Sequence, residues 1–158
     1  MQKVNMKQYD IRQAQLNDIA KCAKIENHTF SEPWSEKSFF DALHDSNYLF
    51  YVLCEDMQPI GYFVAENICD EINLYTIAIE DKHKGNGYGQ ALMQHLIEIA
   101  KSVKALLICL EVRISNMTAI SLYKKNGFIQ TGVRHNFYKK PSEDAYLFTL
   151  NLNNEEEK

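Results

Sequence analysis

The spacing of apolar residues near the N-terminus predicts one short strand followed by two helices. The strand covers residues 9–12, and a helix begins at Asn17 or Asp18 with apolar residues at every third or fourth position. Pro33 interrupts that pattern, and the hydroxyl of Ser35 suits the start of a second helix, where it accepts a backbone N–H. The predicted apolar faces hold Ile19, Cys22, Ala23 and Phe30 in the first helix and Phe39, Phe40 and Leu43 in the second.

The next part of the chain reads as strands, because short runs of β-branched and aromatic residues are bounded by turn-forming ones. We predict strands at residues 48–54, 60–65 and 71–79, with Asp56 and Pro59 in the turn between the first two. The third of these strands is the longest and leads directly into a glycine-rich segment.

The second half of the chain alternates helix and strand. A helix is predicted at residues 88–101, a strand buried on both faces at 106–112, and a further helix that Asn116 caps and Gly127 ends. The last two strands are predicted at residues 128–131 and 146–152. This order predicts an α/β (α+β) fold, with a mixed central sheet of about six to seven strands and helices on both faces.

Composition and charge narrow the class of protein. With 158 residues, 46% of them apolar and 24% charged, the chain suits one globular domain at residues 1–152 and a disordered charged tail at 153–158. The net charge of −4 argues against a general nucleic-acid binder, which carries a basic face. No apolar run approaches the ~20 residues of a membrane span and no signal-peptide core is present, so we expect a cytoplasmic protein without membrane or direct nucleic-acid partners.

The cysteines and histidines predict no metal site. None of Cys22, Cys54, Cys69 and Cys109 lies in a Cys-x-x-Cys pair, and the five histidines have no ligand spacing. We interpret all four thiols as reduced and structural, as is usual in the cytoplasm.

The most informative segment is the run Lys-Gly-Asn-Gly-Tyr-Gly-Gln at residues 84–90. Glycine adopts φ > 0 and lets a ligand approach the backbone, and a helix start adds unpaired N–H donors and a partial positive charge. A strand, a glycine-rich turn and a helix in this order therefore suit a phosphate group, although glycine spacing alone fits an ordinary tight turn equally well.

Several other motifs occur in the chain together with this run. The set comprises Lys84-Gly85-Asn86-Gly87-Tyr88-Gly89, Pro33-Trp34-Ser35, Leu110-Glu111-Val112-Arg113 with Ser115-Asn116, Leu122-Tyr123 with Gly127-Phe128, and Arg134 to Tyr138 followed by Glu143-Asp144-Ala145. Together they resemble the GNAT superfamily of acetyl-CoA-dependent N-acetyltransferases, over about residues 9–152. Within it the chain is similar to the RimI branch, which acetylates the N-terminal alanine of a small-subunit ribosomal protein. Lys84 departs from the usual glutamine or arginine, keeping a cation but losing the planar guanidinium.

The resemblance implies the GNAT fold and a site for acetyl-CoA, the acetyl donor. In the superfamily the pantetheine arm pairs with the strand before the glycine loop, and a bulge in that strand leaves an N–H free for the oxyanion. The residues implied to bind acetyl-CoA are Ile77, Ala78, Ile79, Lys84, Gly85, Asn86, Gly87, Tyr88, Gly89, Gln90 and Asn116.

Glu111 and Tyr123 match the acid–base positions of the superfamily. Glu111 lies near the end of an otherwise apolar strand, and the resemblance implies that it removes a proton from the acceptor ammonium, directly or through a water. Tyr123 is implied to protonate the departing thiolate, since a phenol with a pKa of ~10 can donate to it. The structural alternatives are a Glu111 that reaches solvent or pairs with Arg113, and a Tyr123 that is a core aromatic residue.

The resemblance places the acceptor site beside two loops. Trp34, the only tryptophan, lies between the first two helices, and the alternative is that it anchors the second helix to the core. Arg134, Asn136 and Tyr138 lie in a predicted loop at residues 134–140, whose aromatic and amide groups suit capture of a peptide terminus, although a plain hairpin contains such residues too.

Three functions are compatible with these patterns. The first is acetylation of the N-terminal peptide of a ribosomal protein by a monomer or weak dimer. The second is a GNAT enzyme that acts on another amine, such as a polyamine, an amino acid or a lysine side chain. The third is a module that binds acetyl-CoA without catalysis, which the presence of both Glu111 and Tyr123 disfavours. The segment from Glu111 to Asn116, Tyr123 and the predicted C-terminal loop favour the first over the second.

Overall fold

The computed structural model describes residues 8–152, which build one mixed sheet of seven strands in the order β1-β2-β3-β4-β5-β7-β6. The strands are β1 (Asp10–Gln13), β2 (Tyr48–Glu55), β3 (Gln58–Ile68), β4 (Glu71–Ile79), β5 (Leu107–Arg113), β6 (Ile129–Lys139) and β7 (Ser142–Asn151). Neighbours are antiparallel except β4 and β5, which are parallel. The tail predicted at residues 153–158 lies outside the described residues.

Helices cover both faces of this sheet. They are α1 (Ile19–Thr29), α2 (Glu36–Leu43), α3 (Tyr88–Ser102) and α4 (Met117–Lys125), with short 3₁₀ turns at Leu16–Asp18 and Asp81–His83. The first two helices pack on one face through a cluster that includes Phe39 and Tyr62, and the last two pack on the other through a cluster that includes Leu92 and Phe148. The predicted mixed sheet with helices on both faces is therefore confirmed. Within residues 8–152, no helix has both the length and the apolar character needed to cross a membrane.

Local chemistry sets the helix ends as predicted. The Ser35 hydroxyl accepts the Ser38 N–H at 3.1 Å, and the side-chain oxygen of Asn116 accepts the Ala119 N–H at 3.2 Å. Each satisfies one of the amide groups that a helix start leaves unpaired. Gly127 follows α4 with a φ of 91°, a conformation that glycine adopts without a steric penalty.

Two expectations for the N-terminal half are wrong. Phe40 is 46% exposed, because the short helix α2 turns only a narrow stripe with Phe39 and Ala42 toward the sheet. Pro59 lies in β3 opposite Cys54, at a register shift, and not in the turn. Proline is tolerated there because a bulge does not require its missing N–H.

The C-terminal half also differs from the prediction. The segment expected to be a loop at 134–140 continues β6, which runs to Lys139 and forms a hairpin with β7. As an edge strand, β6 is exposed along most of its length and lacks the apolar alternation that reveals a strand. In β5, Ile108, Leu110 and Val112 are buried while the alternate residues are only half-buried, so that strand is fully covered on one face.

Candidate active site

An opening in the sheet lies between the two parallel strands. β4 and β5 pair only from Glu71 opposite Leu107 to Asn73 opposite Cys109. Just beyond, β4 carries an extra residue, Tyr75, relative to β3. Such a bulge bends the strand, and it confirms the bulge that the resemblance implied. From Leu74 onward, no strand within residues 8–152 pairs with this edge of β4.

The unpaired edge includes the predicted cofactor residues Ile77, Ala78 and Ile79. Their strand stays paired with β3 on its other side, where Ile79 lies opposite Gly61. The free N–H and C=O groups of such an edge suit an extended ligand that adds to the sheet as a strand does.

The glycine loop continues from the end of that strand into α3. Gly85 and Gly87 have φ values of 80° and 84°, and Gly87 is the residue that precedes the helix. A Cβ placed on Gly85 would meet no atom within 4 Å. The start of α3 has no side-chain cap and no acidic residue in its first turn. Its amide groups are therefore open to an anion, which fits the pyrophosphate of acetyl-CoA.

The side chains of the loop serve the protein itself. Tyr88 is buried and its hydroxyl donates to Glu55, which raises the pKa of Tyr88 to about 12. The Gln90 and Asn126 amides exchange two hydrogen bonds, of 2.8 and 2.9 Å, and so join the start of α3 to the end of α4. Because the side chains of Tyr88 and Gln90 already have partners, these two residues can bind a cofactor only through their backbone groups.

The polar residues of the loop are also engaged. The side-chain amide of Asn86 donates to the backbone oxygen of His83 at 3.0 Å. The Lys84 ammonium lies 2.7 Å from a carboxylate oxygen of Asp81, and this pairing is the main reason that the pKa of Asp81 is lowered. The Lys84 side chain is thus held by Asp81 at the entrance of the loop.

Glu111 lies on β5 two residues beyond the last position that pairs with β4. Cys109, on the same face of β5, donates its thiol hydrogen to the Asn73 side chain at 2.9 Å across the two strands. The Glu111 carboxylate is half-buried and pairs with Arg134 of β6 at 3.0 Å, rather than with Arg113 as the structural alternative supposed. A carboxylate is thereby held where the strands diverge.

Tyr123 lies on the opposite face of the sheet. It is 6% exposed and packs against Phe128 and Phe148, with ring centroids 5.7 and 6.3 Å away. Burial raises the pKa of Tyr123 well above its usual range. Within the described residues its hydroxyl has no hydrogen-bond partner, so the phenol proton is not committed to another group of the protein. Tyr123 therefore has the core packing of its structural alternative and a free donor.

Tyr138 connects these two groups electrostatically. Burial first, and then the Glu111 charge, raise the pKa of Tyr138 to about 12. Tyr138 in turn contributes to the raised pKa of Tyr123. Tyr138 of β6 thus lies within electrostatic reach of both Glu111 of β5 and Tyr123 of α4.

Trp34 lies beside the bulge of β4. Its ring centroid is 5.5 Å from that of Phe39 and 5.9 Å from that of Tyr75, the extra residue of β4. The structure therefore shows the predicted anchoring contact with the core and, through Tyr75, a place beside the opening.

Glu26 is a residue that the sequence analysis missed. It is 2% exposed, and one carboxylate oxygen accepts the hydroxyls of Tyr62 and Thr76, each at 2.6 Å. The other oxygen accepts the backbone N–H of Trp34 at 2.9 Å. A buried carboxylate requires such donors. An acidic residue on the apolar face of α1, beside Ile25, was the available signal.

Asn136, unlike the other residues predicted to bind the acceptor, forms its hydrogen bonds within the β6–β7 hairpin. It lies at an irregularity of β6 with a φ of 52°, and its N–H donates to Asp144 at 2.8 Å. Its side-chain oxygen accepts the Ser142 hydroxyl at 3.3 Å. These contacts shape the hairpin, and a role in acceptor binding stays a prediction. Among residues 8–152, no group of His, Cys, Asp or Glu side chains has the arrangement of a metal site.

Comparison with known proteins agrees with this geometry. The model of the acetyltransferase (GNAT) family matches residues 15–128. The chain belongs to the GNAT family. The predicted resemblance is confirmed, and acetyl-CoA is the acetyl donor in this family.

Relatives extend the match to most of the chain. The ribosomal protein bS18-alanine N-acetyltransferase of Haemophilus influenzae is 36% identical over 135 residues, which are 84% of this chain and 89% of the relative. The Escherichia coli enzyme of that name is 31% identical over 142 residues, 89% of this chain and 95% of the relative. The crystal structure of the Escherichia coli ribosomal-protein-S18-alanine N-acetyltransferase superimposes with a TM-score of 0.85 and 30% identity, covering 91% of this chain and 94% of that one. The chain is thus a GNAT N-acetyltransferase.

Proposed function

We propose that this protein transfers the acetyl group of acetyl-CoA directly to the N-terminal α-amine of a protein, and that the acceptor is the N-terminal alanine of small-subunit ribosomal protein bS18. Relatives that cover most of the chain carry this acceptor in their names. The observation that carries the proposal is the Glu111 carboxylate, which lies just past the point where β4 and β5 separate. We place the reaction in the cytoplasm, where ribosomal proteins are made.

In the proposed reaction the amine nitrogen bonds to the thioester carbonyl carbon and the carbon–sulfur bond breaks. Glu111 accepts the first proton of the ammonium, directly or through a water, and Tyr123 donates its phenol proton to the departing sulfur. The second proton, which the nitrogen loses as it becomes an amide, restores the phenol. Because burial raises the pKa of Tyr123, the phenol is protonated at neutral pH. Base and acid lie on opposite faces of the sheet, which suits a transfer in which acceptor and donor meet in the opening.

The acceptor sequence is part of the proposal. A small first residue lets the amine reach the thioester between the Trp34 segment and the β6–β7 hairpin. A basic second residue is attracted by nearby carboxylates such as Glu32. The backbone N–H groups of Lys139 and Lys140 hold the pKa of Glu32 below its usual range, so this group is charged at neutral pH. Such attraction weakens with salt.

Initial rates on short peptides test the proposal. An Ala-Arg peptide with a free α-amine should be acetylated faster than Met-Arg or Ala-Glu peptides, and blocking the α-amine should abolish transfer. Acetylating an internal lysine of the same peptide should leave the rate unchanged. Spermidine at equal concentration is the small-amine control, and a higher rate on spermidine would assign the protein to the second class of acceptor.

A further inference from the structure

Two segments meet over the acceptor side of the opening. The first is the segment between α1 and α2 (residues 30–35, called the α1–α2 segment), which Glu26 joins to β3 through Tyr62. The second is the turn of the β6–β7 hairpin, whose strand β7 pairs with β5. One oxygen of Glu32 accepts the backbone N–H groups of Lys139 and Lys140, at 2.6 and 2.7 Å. The hydroxyl of Ser31 donates to the backbone oxygen of Lys140. The two sides of the opening are thus bridged.

Arg113 donates further hydrogen bonds to both of these segments. Its guanidinium donates to the backbone oxygens of Lys140 and Pro141, each at 3.0 Å, in the hairpin turn. It also donates to the Ser31 hydroxyl at 3.1 Å, and so reaches the α1–α2 segment. One side chain therefore holds both segments at once.

The same guanidinium contacts the two strands of the hairpin next to its turn. It pairs with Glu143 of β7 at 3.0 Å and lies 4.3 Å from the ring centroid of Tyr138. Glu143 also accepts the Ser115 N–H at 2.8 Å. The Ser115 side chain first, and then the Arg113 pairing, lower the pKa of Glu143. The Arg113 side chain is only 19% exposed, so these partners replace the water it has lost.

The number and layout of these bonds require a guanidinium. Arginine carries five N–H donors in a rigid planar fork, whereas a lysine ammonium is a point charge with three donors on a flexible stem. A lysine at this position keeps the charge opposite Glu143 but cannot reach Ser31 and the hairpin turn together.

We propose that Arg113 is a positioning residue for the acceptor. It does not contact the reacting atoms; it fixes the separation of the α1–α2 segment and the hairpin, and with it the position of Tyr138 beside Glu111. The inference rests on the proposed function, because it assumes a peptide acceptor that passes between these segments. The side-chain hydrogen bonds and ion pair of Arg113 involve no residue of the β4 edge or of the glycine loop, which build most of the donor site.

The test compares Arg113→Lys with Arg12→Lys. Arg12 of β1 also forms a two-pronged ion pair, with Asp18 at 2.7 and 3.0 Å, but lies outside the site. In Arg113→Lys the KM for the Ala-Arg peptide should rise about tenfold, as expected from the loss of charge-assisted hydrogen bonds, while the acetyl-CoA affinity measured by calorimetry stays the same. Backbone amides of Lys139 and Lys140 should exchange hydrogen faster. Arg12→Lys should show none of these changes, whatever its melting temperature.

Two results would overturn the inference. One is an unchanged KM with unchanged exchange at Lys139 and Lys140. The other is a fall in acetyl-CoA affinity as large as the rise in KM, with both changes in proportion to a decrease in melting temperature. Such parallel losses would indicate that Arg113 stabilises the fold as a whole. A wild-type protein that does not acetylate the peptide contradicts the proposed function instead, and the exchange measurement still tests whether Arg113 holds the two segments together.

Discussion

The donor side and the acceptor side of the opening are built in different ways. The proposed donor side consists mainly of consecutive residues from Ile77 to Gln90, whose backbone forms an unpaired strand edge and an uncapped helix start. The acceptor side is assembled from segments far apart in sequence: the Ser31–Lys140 contact spans 109 positions and the Arg113–Ser31 contact 82. A site made by local backbone geometry can be recognised in a sequence, whereas one made by distant side chains depends on the whole fold.

The largest expected effect belongs to Glu111, where the two sides meet. Glu111→Gln should lower kcat by ~10²–10³-fold, the usual contribution of a general base, while acetyl-CoA affinity is unchanged. The loss should be greatest at low pH, because an α-amine with a pKa of ~8 is then mostly charged and depends on the base. Steady-state rates from pH 6 to 9, with calorimetry for the donor, measure both quantities. Turnover at the wild-type rate would show that Glu111 is not the base.

A charge in the glycine loop should damage the donor side alone. Gly87→Glu should weaken acetyl-CoA binding about 100-fold, because a carboxylate ~6 Å from a phosphate is repelled by roughly 3 kcal/mol at an intermediate dielectric. The control is Gly127→Glu, which imposes the same strain at a φ of 91° at the end of α4. Equal losses of affinity by calorimetry would attribute the effect to strain instead of charge.

Removing the buried carboxylate should damage the acceptor side alone. In Glu26→Gln one of the three donors, from Tyr62, Thr76 and Trp34, faces an NH₂ group, so the free energy of unfolding should fall by ~2 kcal/mol and the acceptor KM should rise several-fold. Urea unfolding and steady-state kinetics measure these quantities. The matched control is Asp18→Asn, because Asp18 is also buried and accepts bonds from Arg12. It should lose similar stability with no change in KM, and a KM that rises equally in both variants contradicts the role of Glu26.

The smallest effect concerns stability in alkali, to which both sides contribute. Burial raises the pKa of Tyr123 and of Tyr62, so the folded protein keeps these protons where the unfolded chain has released them. The free energy of unfolding should therefore fall as the pH rises above ~10, by about 1.4 kcal/mol per pH unit for each tyrosine. Tyr123→Phe and Tyr62→Phe should each flatten this decline in urea titrations from pH 9 to 11. A slope that neither variant changes would mean that other groups cause it.

Much of the donor side could be predicted from the sequence. The strand at Glu71–Ile79, the glycine loop, the start of α3 and the cap of α4 by Asn116 all occur where the local pattern indicated. Each depends on interactions among residues a few positions apart, such as a cap, a left-handed glycine or an apolar stripe. The roles of Glu111 and Tyr123 came from the family resemblance and stay predictions.

The sequence by itself determined which residue types were available and the local elements that carry them. Tertiary structure decided the pairings: Arg134 pairs with Glu111, Arg113 with Glu143 and Ser31, and Glu26 with the Trp34 segment. It also made residues 134–139 part of an edge strand. Their sequence does not predict a strand, because it lacks the alternation of apolar and polar residues. The physical reason is that a charged side chain has several possible partners along the chain, and only packing of the sheet and helices brings one of them within hydrogen-bonding distance.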